Sequence, residues 1–446
     1  MMSLLQASQI LQGELQGADA VFNRVSTDTR NMQSGDLYFA LRGERFDGHE
    51  FLFSAQQSGA VAAVVDEYID VKLPQIKVAD TRKALGRLAQ AWRQQFRGVV
   101  IGITGSNGKT TVKEMIATIL AQQGEVLATR GNFNNDIGLP LTLLRMAQED
   151  YAVIEMGANH PGEIDGLTHI TRPDIALITN AGPAHLEGFG SVQGVARAKG
   201  EIYRGLGDSG IAIINGDDAF CDYWMSLNKA HKILRFALDN THAEVRGEWL
   251  PTVDGGLLTV TTAEHRQAIP LHVPGRHNAM NALAAIAAGL AAGISLADAA
   301  RALQQFKPVK GRLNIIRCDN GLTLIDDTYN ANPASLLAGL NVLMDLPGEH
   351  WLVLGDMGEL GEDAISIHRE AGHQAKQLGV DFLCATGTHS EQAVSVFGER
   401  ARHFPGKDEL VAFIKDEAKA DTNILIKGSR FMKMEDIVAS LVGMER

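Results

Sequence analysis

Short, continuous apolar runs punctuate this chain, and between most of them apolar residues recur at helical spacing. The run GVVIGI (98–103) is β-branched and free of charge, the pattern of a strand buried on both faces of a parallel sheet. TTVKEMIATILAQQG follows with apolar positions three and four apart, which predicts a helix. YAVIEMG (151–157), DIALITN (174–180) and GIAIING (210–216) repeat the strand pattern and alternate with helical segments. The middle of the chain therefore reads as a mostly parallel sheet covered by helices.

The same patterning divides the chain into three α/β units. Residues 1–81 predict a small one: helix LLQASQIL, strand GDLYFALRG (35–43), helix EFLFSAQQSG (50–59) and strand AVAAVVD (60–66). VADTRKALGRLAQAWRQQF (78–96) predicts a connecting helix into a central unit, 82–311. Around KPVKGRLN (307–314) the periodicity breaks. From 312 to 446 strands and helices alternate again, from LTLIDDTY to MEDIVASLV, as in a separate doubly wound, Rossmann-like unit. The run AMNALAAIAAGLAAGISLA (279–297) is the most apolar, yet Ala and Gly dominate it and Asn281 interrupts it. It predicts a packed helix, not a transmembrane span.

Bulk properties narrow the function. A chain of 446 residues has room for about two to four domains. The formal net charge of −12 argues against a general nucleic-acid or anionic-membrane binder, both of which need a basic surface. Cys221, Cys318 and Cys384 are far apart and show no zinc or C-x-x-C spacing, as expected of free thiols in a reducing cytosol. MMSLLQASQILQGELQG lacks the basic and apolar regions of a signal peptide, so a cytoplasmic location is expected.

The strongest chemical signal is GITGSNGKTTVKEM (102–115). It ends like a phosphate-binding loop, but the usual G-x-x-x-x-G-K-[ST] pattern would need glycine at Ile103. Every residue type for phosphate chemistry is nonetheless present. Gly105 and Gly108 let backbone N–H groups converge on an anion, and the helix dipole adds to them. Lys109 is a mobile cation for the β and γ phosphates, and Thr110 has the hydroxyl that holds Mg²⁺ in such loops. Glu155 ends the strand YAVIE, where ligands bind in open α/β sheets, and becomes a candidate Mg²⁺ ligand. His185 lies in the glycine-rich NAGPAHLEGFGS (180–191), and Lys199 falls on the helix VARAKGEI. Taken alone, these two read as a structural histidine and a solvated lysine.

TGSNGKTT (104–111) resembles the loop of the Mur ligases, the ATP-dependent amide ligases of peptidoglycan synthesis, in which the shorter spacing is normal. GNFNNDIGLP (131–140), YAVIEMGANHPGEI (151–164), ARAKGEI (196–202), GRHNAMNALAA (275–285), KGRLN (310–314), DDTYNANP (326–333), LGDMGELG (354–361) and KGSR (427–430) extend the resemblance in order along the chain. LGDMGELG and DDTYNANP resemble the branch that adds D-alanyl-D-alanine to UDP-N-acetylmuramoyl-tripeptide, and the D-N-P-R motif of the diaminopimelate-adding branch is absent.

The resemblance implies three domains: an N-terminal one for the UDP group, a central one for ATP and a Rossmann-like one that closes over the site. It implies that Thr104, Gly105, Ser106, Asn107, Gly108, Lys109, Thr110 and Thr111 cradle the ATP phosphates. Thr110 and Glu155 would bind one Mg²⁺ and His185 would help bind a second, and Lys199 matches a lysine that is carbamylated in several members, which would make it a metal partner. Asn278 and Asn281 fall near adenine, Arg312 meets the phosphates as the domains close, and Asp327 and Tyr329 fall near the ribose. Ser26, Thr27, Arg30, Arg45 and Asp47 match the uridine-diphosphate segments, and Asn135, Asn330, Asn332, Lys427 and Arg430 are placed with the remaining substrate contacts. A monomer is implied.

Two other readings fail on motifs. A GTPase needs N-K-x-D, and the one N-K continues as NKAH (228–231). A dinucleotide oxidoreductase needs G-x-G-x-x-G after a strand, a spacing that LGDMGELG lacks. A noncatalytic family member is disfavoured by the intact loop, Glu155 and Lys199.

Overall fold

The computed structural model describes residues 1–43, 46–252 and 255–443. Among the described residues three sheets of five or more strands form along the chain, besides a two-stranded pairing of Met2–Ser3 with Val21–Phe22. The first has five strands in the order Glu14–Gln16, Gln75–Lys77, Ala62–Val65, Asp36–Phe39, Arg24–Ser26, parallel except at the Glu14–Gln16 edge. Three of its strands are shorter than four residues and leave almost no periodic signal, which is why patterning misses them.

The central sheet has nine strands. Val99–Thr104 lies between Tyr151–Glu155 on one side and Ile175–Ile178 on the other, in parallel register with both. The chain thus leaves this strand in both directions across the sheet, and its carboxyl end is a switch point where ligands bind in such folds. The expected parallel sheet is present, and it is extended by an unforeseen antiparallel edge. Val245–Thr252, Gly255–Thr261 and Arg266–Leu271 add a meander in which buried and exposed positions alternate. Alternation on a half-exposed edge differs from the continuous apolar runs used to find the other strands.

The long run at 279–297 also resolves differently from expectation. It forms two helices, Arg276–Ala291 and Leu296–Gln304, broken at Gly293 (φ +89°) and restarted by Ser295, whose Oγ accepts from the Asp298 N–H. The first packs on Lys109–Leu120, where a Cβ on Gly289 would lie 2.8 Å from Ile119 Cγ2. That close approach fixes the helix carrying Lys109 against the helix carrying Asn278 and Asn281. Ile116 and Ile119 are fully buried beneath it, and truncating either to Ala would cost about 2–5 kcal/mol. No helix among the described residues is long and apolar enough to cross a membrane.

The C-terminal sheet has six strands in the order Asn314–Arg317, Thr323–Asp327, Thr422–Lys427, Glu349–Gly355, Phe382–Thr386, Ala401–Phe404, parallel except for the first pair. Apolar clusters fill both faces, as expected of a doubly wound unit.

Candidate active site

The loop after Val99–Thr104 has the backbone its glycines require. Gly105 has φ +149° and a Cβ there would lie 1.9 Å from Thr179 Oγ1. Gly108 has φ +82° and a Cβ would lie 2.4 Å from Asn281 Oδ1. The neighbouring strand end ties the loop down. Thr179 Oγ1 donates to the Asn107 carbonyl (2.6 Å), Asn180 Oδ1 accepts from the Asn107 N–H (3.0 Å), and Ser106 Oγ donates to the Gly182 carbonyl (3.1 Å). Thr104 Oγ1 donates to the Met156 carbonyl (2.8 Å), which fixes the loop to the strand ending at Glu155. The helix starts at Lys109, and Thr111 is buried in its first turn. Lys109 Nζ folds back onto the Gly105 carbonyl (2.7 Å). Burial pushes its pKa down, opposed by Glu155.

Glu155 is buried at its strand end with every atom in use. Thr110 Oγ1 donates to Oε2 (3.1 Å), Asn134 Nδ2 donates to Oε1 (2.8 Å), and the backbone N–H donates to Thr129 Oγ1 (3.0 Å). Behind it the buried Lys113 ammonium donates to the Thr129 carbonyl. Asn134, Thr129 and Lys113 were absent from the sequence expectations. Lys113 stands one helical turn after Lys109, a spacing that was available to notice. Asn135 also lines the cavity, and its Oδ1 accepts from the Gly138 N–H (2.8 Å) at the start of a helix.

The Thr110–Glu155 pair, a hydroxyl and a carboxylate, is a hard-oxygen donor set. This fits Mg²⁺, which takes few protein ligands and fills its shell with water and phosphate oxygens.

The C-terminal unit reaches this point directly. Arg312 Nη2 donates to Thr110 Oγ1 (3.1 Å), its guanidinium stacks 4.2 Å from the Tyr329 ring, and Asn332 Nδ2 donates to Asn107 Oδ1 (2.8 Å). Tyr329, Asn330 and Arg430 line the same cavity, of about 1580 Å³, as the loop, Glu155 and His185. Lys427 lines it too, but its buried ammonium is taken by Asp327 and by the Asn330 carbonyl (3.0 Å). Lys427 and Arg430 are thus both paired with a carboxylate, Lys427 in the interior and Arg430, with Glu435, nearer the surface.

On the helix Arg276–Ala291, Asn278 Nδ2 donates to the Pro274 carbonyl (2.8 Å) and Asn281 Nδ2 to Asn278 Oδ1 (3.1 Å). His277, not foreseen, lines the cavity beside them; burial pushes its pKa down to about 4, with Asp327 opposing. It is thus a neutral imidazole at ordinary pH.

Lys199 overturns the solvated-lysine reading. It lies on the helix Val192–Gly200 but is 1% exposed, and its ammonium lies 5.4 Å from the centroid of the Phe189 ring. Burial, and then the Lys109 charge, push its pKa down to about 7. His185 starts the short helix Leu186–Phe189, and its Nδ1 lies 2.6 Å from Glu359 Oε2, off the line of a well-aligned hydrogen bond.

The N-terminal candidates are elsewhere. Ser26, Thr27, Arg30 and Asp47 do not line the main cavity. They gather at the carboxyl edge of Arg24–Ser26, Asp36–Phe39 and Ala62–Val65, where Ser26 Oγ donates to the Asp28 carbonyl (3.0 Å), Arg30 pairs with Asp28 (2.7 Å) and Asp47 lies 2.6 Å from His49 Nδ1. Tyr38 sits under them; burial pushes its phenol up to about 12, reinforced by Asp28 and Asp47. Arg45 lies outside the described residues.

A phosphate loop at a sheet switch point, an acid facing its threonine and an arginine arriving from a second α/β unit define an ATP-dependent ligase architecture of the Mur type. Three stretches match its domain families: Mur ligase family catalytic domain (21–93), Mur ligase middle domain (103–289) and Mur ligase glutamate ligase domain (311–430). The chain belongs to the Mur ligase family. It is 45% identical over 444 residues to the UDP-N-acetylmuramoyl-tripeptide–D-alanyl-D-alanine ligase of Escherichia coli K12, covering 98% of both chains. It is 43% identical to the enzyme of that name from Haemophilus influenzae, covering 99% of this chain and 98% of the relative. Among solved structures, a MurF from Acinetobacter baumannii superposes with a TM-score of 0.92 at 38% identity over 98% of both chains. A MurF from Thermotoga maritima in complex with ADP gives 0.84 at 26% identity over 94% of this chain and 97% of that one.

Proposed function

We propose that this chain is the ATP-dependent ligase that adds D-alanyl-D-alanine to UDP-N-acetylmuramoyl-tripeptide, giving the pentapeptide precursor of peptidoglycan, ADP and phosphate. The carrying observation is the Arg312–Thr110–Glu155 chain, which joins the phosphate loop to the second α/β unit. Near-full-length likeness to ligases of that name supports the branch.

The chemistry explains the arrangement. A carboxylate does not acylate an amine at neutral pH without a leaving group. The tripeptide's terminal carboxylate oxygen attacks the γ phosphorus of ATP, ADP leaves, and an acyl phosphate forms. The amine of D-alanyl-D-alanine attacks its carbonyl carbon, loses a proton, and phosphate leaves with the carboxylate's oxygen. Two anions meet in the first step, so charge neutralisation is the main task. Lys109 swings from the Gly105 carbonyl to the β and γ phosphates, the loop N–H groups orient them, and Arg312 adds a second cation. Thr110 and Glu155, with His185 near, would hold Mg²⁺, which would supply neutralisation of the phosphate charge there. Closure of 312–446 over 82–311 keeps water from the acyl phosphate, while 1–81 anchors the UDP group.

Lys199 fits a carbamate. A buried amine with pKa about 7 is largely neutral near pH 7.5 and reacts with CO₂, and the product would turn a cation into an anion behind His185 and Phe189. The soluble nucleotide substrates and the buried thiols of Cys221 and Cys384 suit the cytoplasm.

Isotope transfer tests this route. With ¹⁸O in the tripeptide's terminal carboxylate, one ¹⁸O should appear in the released phosphate. Unlabelled phosphate would exclude the acyl-phosphate path.

A further inference from the structure

The antiparallel edge of the central sheet brings an indole to the cavity. Trp249 lies on Val245–Thr252, and Gly255–Thr261 runs beside it with Leu258 opposite Trp249 and Gly256 opposite Pro251. A Cβ on Gly256 would lie 2.2 Å from Trp249 Cη2 and 2.3 Å from Cζ2. The benzene half of the indole therefore rests on the backbone of the neighbouring strand, at a position where glycine leaves room for it. Gly247 is two residues earlier on the same face of the strand. A Cβ there would lie 2.6 Å from Leu283 Cδ1, on the helix Arg276–Ala291, and 2.9 Å from Leu238 Cδ2. These close approaches press the strand against that helix and turn Trp249 toward it.

The corner so formed is largely apolar and open to the cavity. Trp249, partly buried, lines it with Leu238, Pro251 and Met280. Val342 of the C-terminal unit reaches the same corner, since a Cβ on Gly275 would lie 2.8 Å from its Cγ2. Arg276 at the rim is already paired with Asp239 (2.6 Å), so the corner suits an uncharged flat ring better than an anion. Its distance from the phosphate loop is set by the helix. Asn281 approaches the loop at Gly108, Met280 precedes it, and Arg276 is about 7–8 Å back along the helix axis. A ribose and one phosphate put a similar length between a base and the phosphates that a loop holds. The amides of Asn278 and Asn281 bond to the Pro274 carbonyl and to Asn278 Oδ1, so the flat contact is left to another group.

We propose that Trp249 is the stacking platform for the adenine ring of ATP, carried to the cavity by the antiparallel edge strands. The inference rests on the ATP reading of this cavity and assigns its base end. An aromatic platform holds a base by its π face, independently of the hydrogen bonds at the base's edges. It also gives the meander a use: beyond the parallel core, paired strands back a single side chain at the site.

The test is calorimetric binding of ADP and of inorganic tripolyphosphate to the full chain with Mg²⁺, in wild type, Trp249→Ala, Trp249→Phe and Leu250→Ala. Leu250 is the next residue, on the other face of the strand and 64% exposed. Trp249→Ala should bind ADP about 5–100-fold more weakly, Trp249→Phe should keep most of the affinity, and Leu250→Ala all of it. Tripolyphosphate, which has no base, should bind all four alike. ADP should also change the tryptophan fluorescence of wild type and not that of Trp249→Phe, because Trp92, Trp224 and Trp351 do not line this cavity. ADP bound equally by wild type and Trp249→Ala would overturn the platform, and so would an equal loss of tripolyphosphate affinity in that variant. Wild type that binds neither ADP nor tripolyphosphate would overturn the ATP reading, and the platform with it.

Discussion

Asn134 donates its side-chain amide to Glu155 Oε1 at 2.8 Å, and so leaves Oε2 to face Thr110. The carboxylate is thereby held in one orientation, with one oxygen kept for the phosphate side of the site. Groups that orient a metal ligand from behind are typically worth about 10–100-fold in affinity or activity. Asn134→Ala should therefore raise the Mg²⁺ concentration for half-maximal phosphate release by about that factor, with a smaller effect on the ATP concentration required. An unchanged Mg²⁺ dependence would show that Glu155 needs no such support.

Lys109→Ala should abolish phosphate transfer, by at least about 10²–10³-fold, and keep the fold. Its ammonium donates only to carbonyls of its own loop, so removing it breaks no tertiary contact. Circular dichroism and phosphate release on the same sample check both halves. Wild-type turnover in this variant would refute the loop's role.

Gly108 and Asn281 approach closely enough that a methyl group at 108 would lie 2.4 Å from Asn281 Oδ1, on a backbone at φ +82°. Gly108→Ala must shift both the loop and the helix Arg276–Ala291. ATP affinity, read by calorimetry, should fall by about 10-fold or more, since each left-handed non-glycine residue alone costs about 1–3 kcal/mol. Retained affinity would mean that the loop tolerates a wider turn.

Lys199 supplies a pH signature. Its folded pKa, near 7, is below that of a free lysine, so the neutral amine needed to bind CO₂ becomes available as pH rises through 7. With ¹³C-bicarbonate, a carbamate resonance should grow between about pH 6 and 8 and be absent in Lys199→Ala. That variant should lose turnover and regain part of it with added short carboxylates. The same resonance persisting in Lys199→Ala would assign it to another amine.

Asp327 and Lys427 are a buried pair, 12% and 1% exposed in their side chains. Removing one charge strands the other, and such breaks cost about 3–5 kcal/mol. Lys427→Met should lower the unfolding midpoint of the C-terminal unit markedly more than Arg430→Met, whose pair with Glu435 is near the surface. Equal effects of the two substitutions would contradict the buried assignment.

The strands that build the nucleotide site were legible because they are buried on both faces and read as unbroken apolar runs. Val99–Thr104, Tyr151–Glu155 and Ile175–Ile178 all occur where patterning puts them. The glycine-lysine-threonine loop was legible because its chemistry is local. Side-chain partners across the sheet were not. Nothing in GNFNND distinguishes Asn134, which reaches Glu155, from Asn135, which caps a helix. Burial of Lys199 was equally hidden, because VARAKGEI has the composition of a surface helix and only the packing of Phe189 and its neighbours encloses the amine. Glu359 is 174 residues from His185 in sequence, and only the relation between the two units joins them.

The most direct measurement is phosphate release from ATP with Mg²⁺, adding UDP-N-acetylmuramoyl-tripeptide and D-alanyl-D-alanine separately and together. Release that requires both, with a pentapeptide product by mass, is the expected result. Release that requires neither, or no release with both present, would contradict the ligase account.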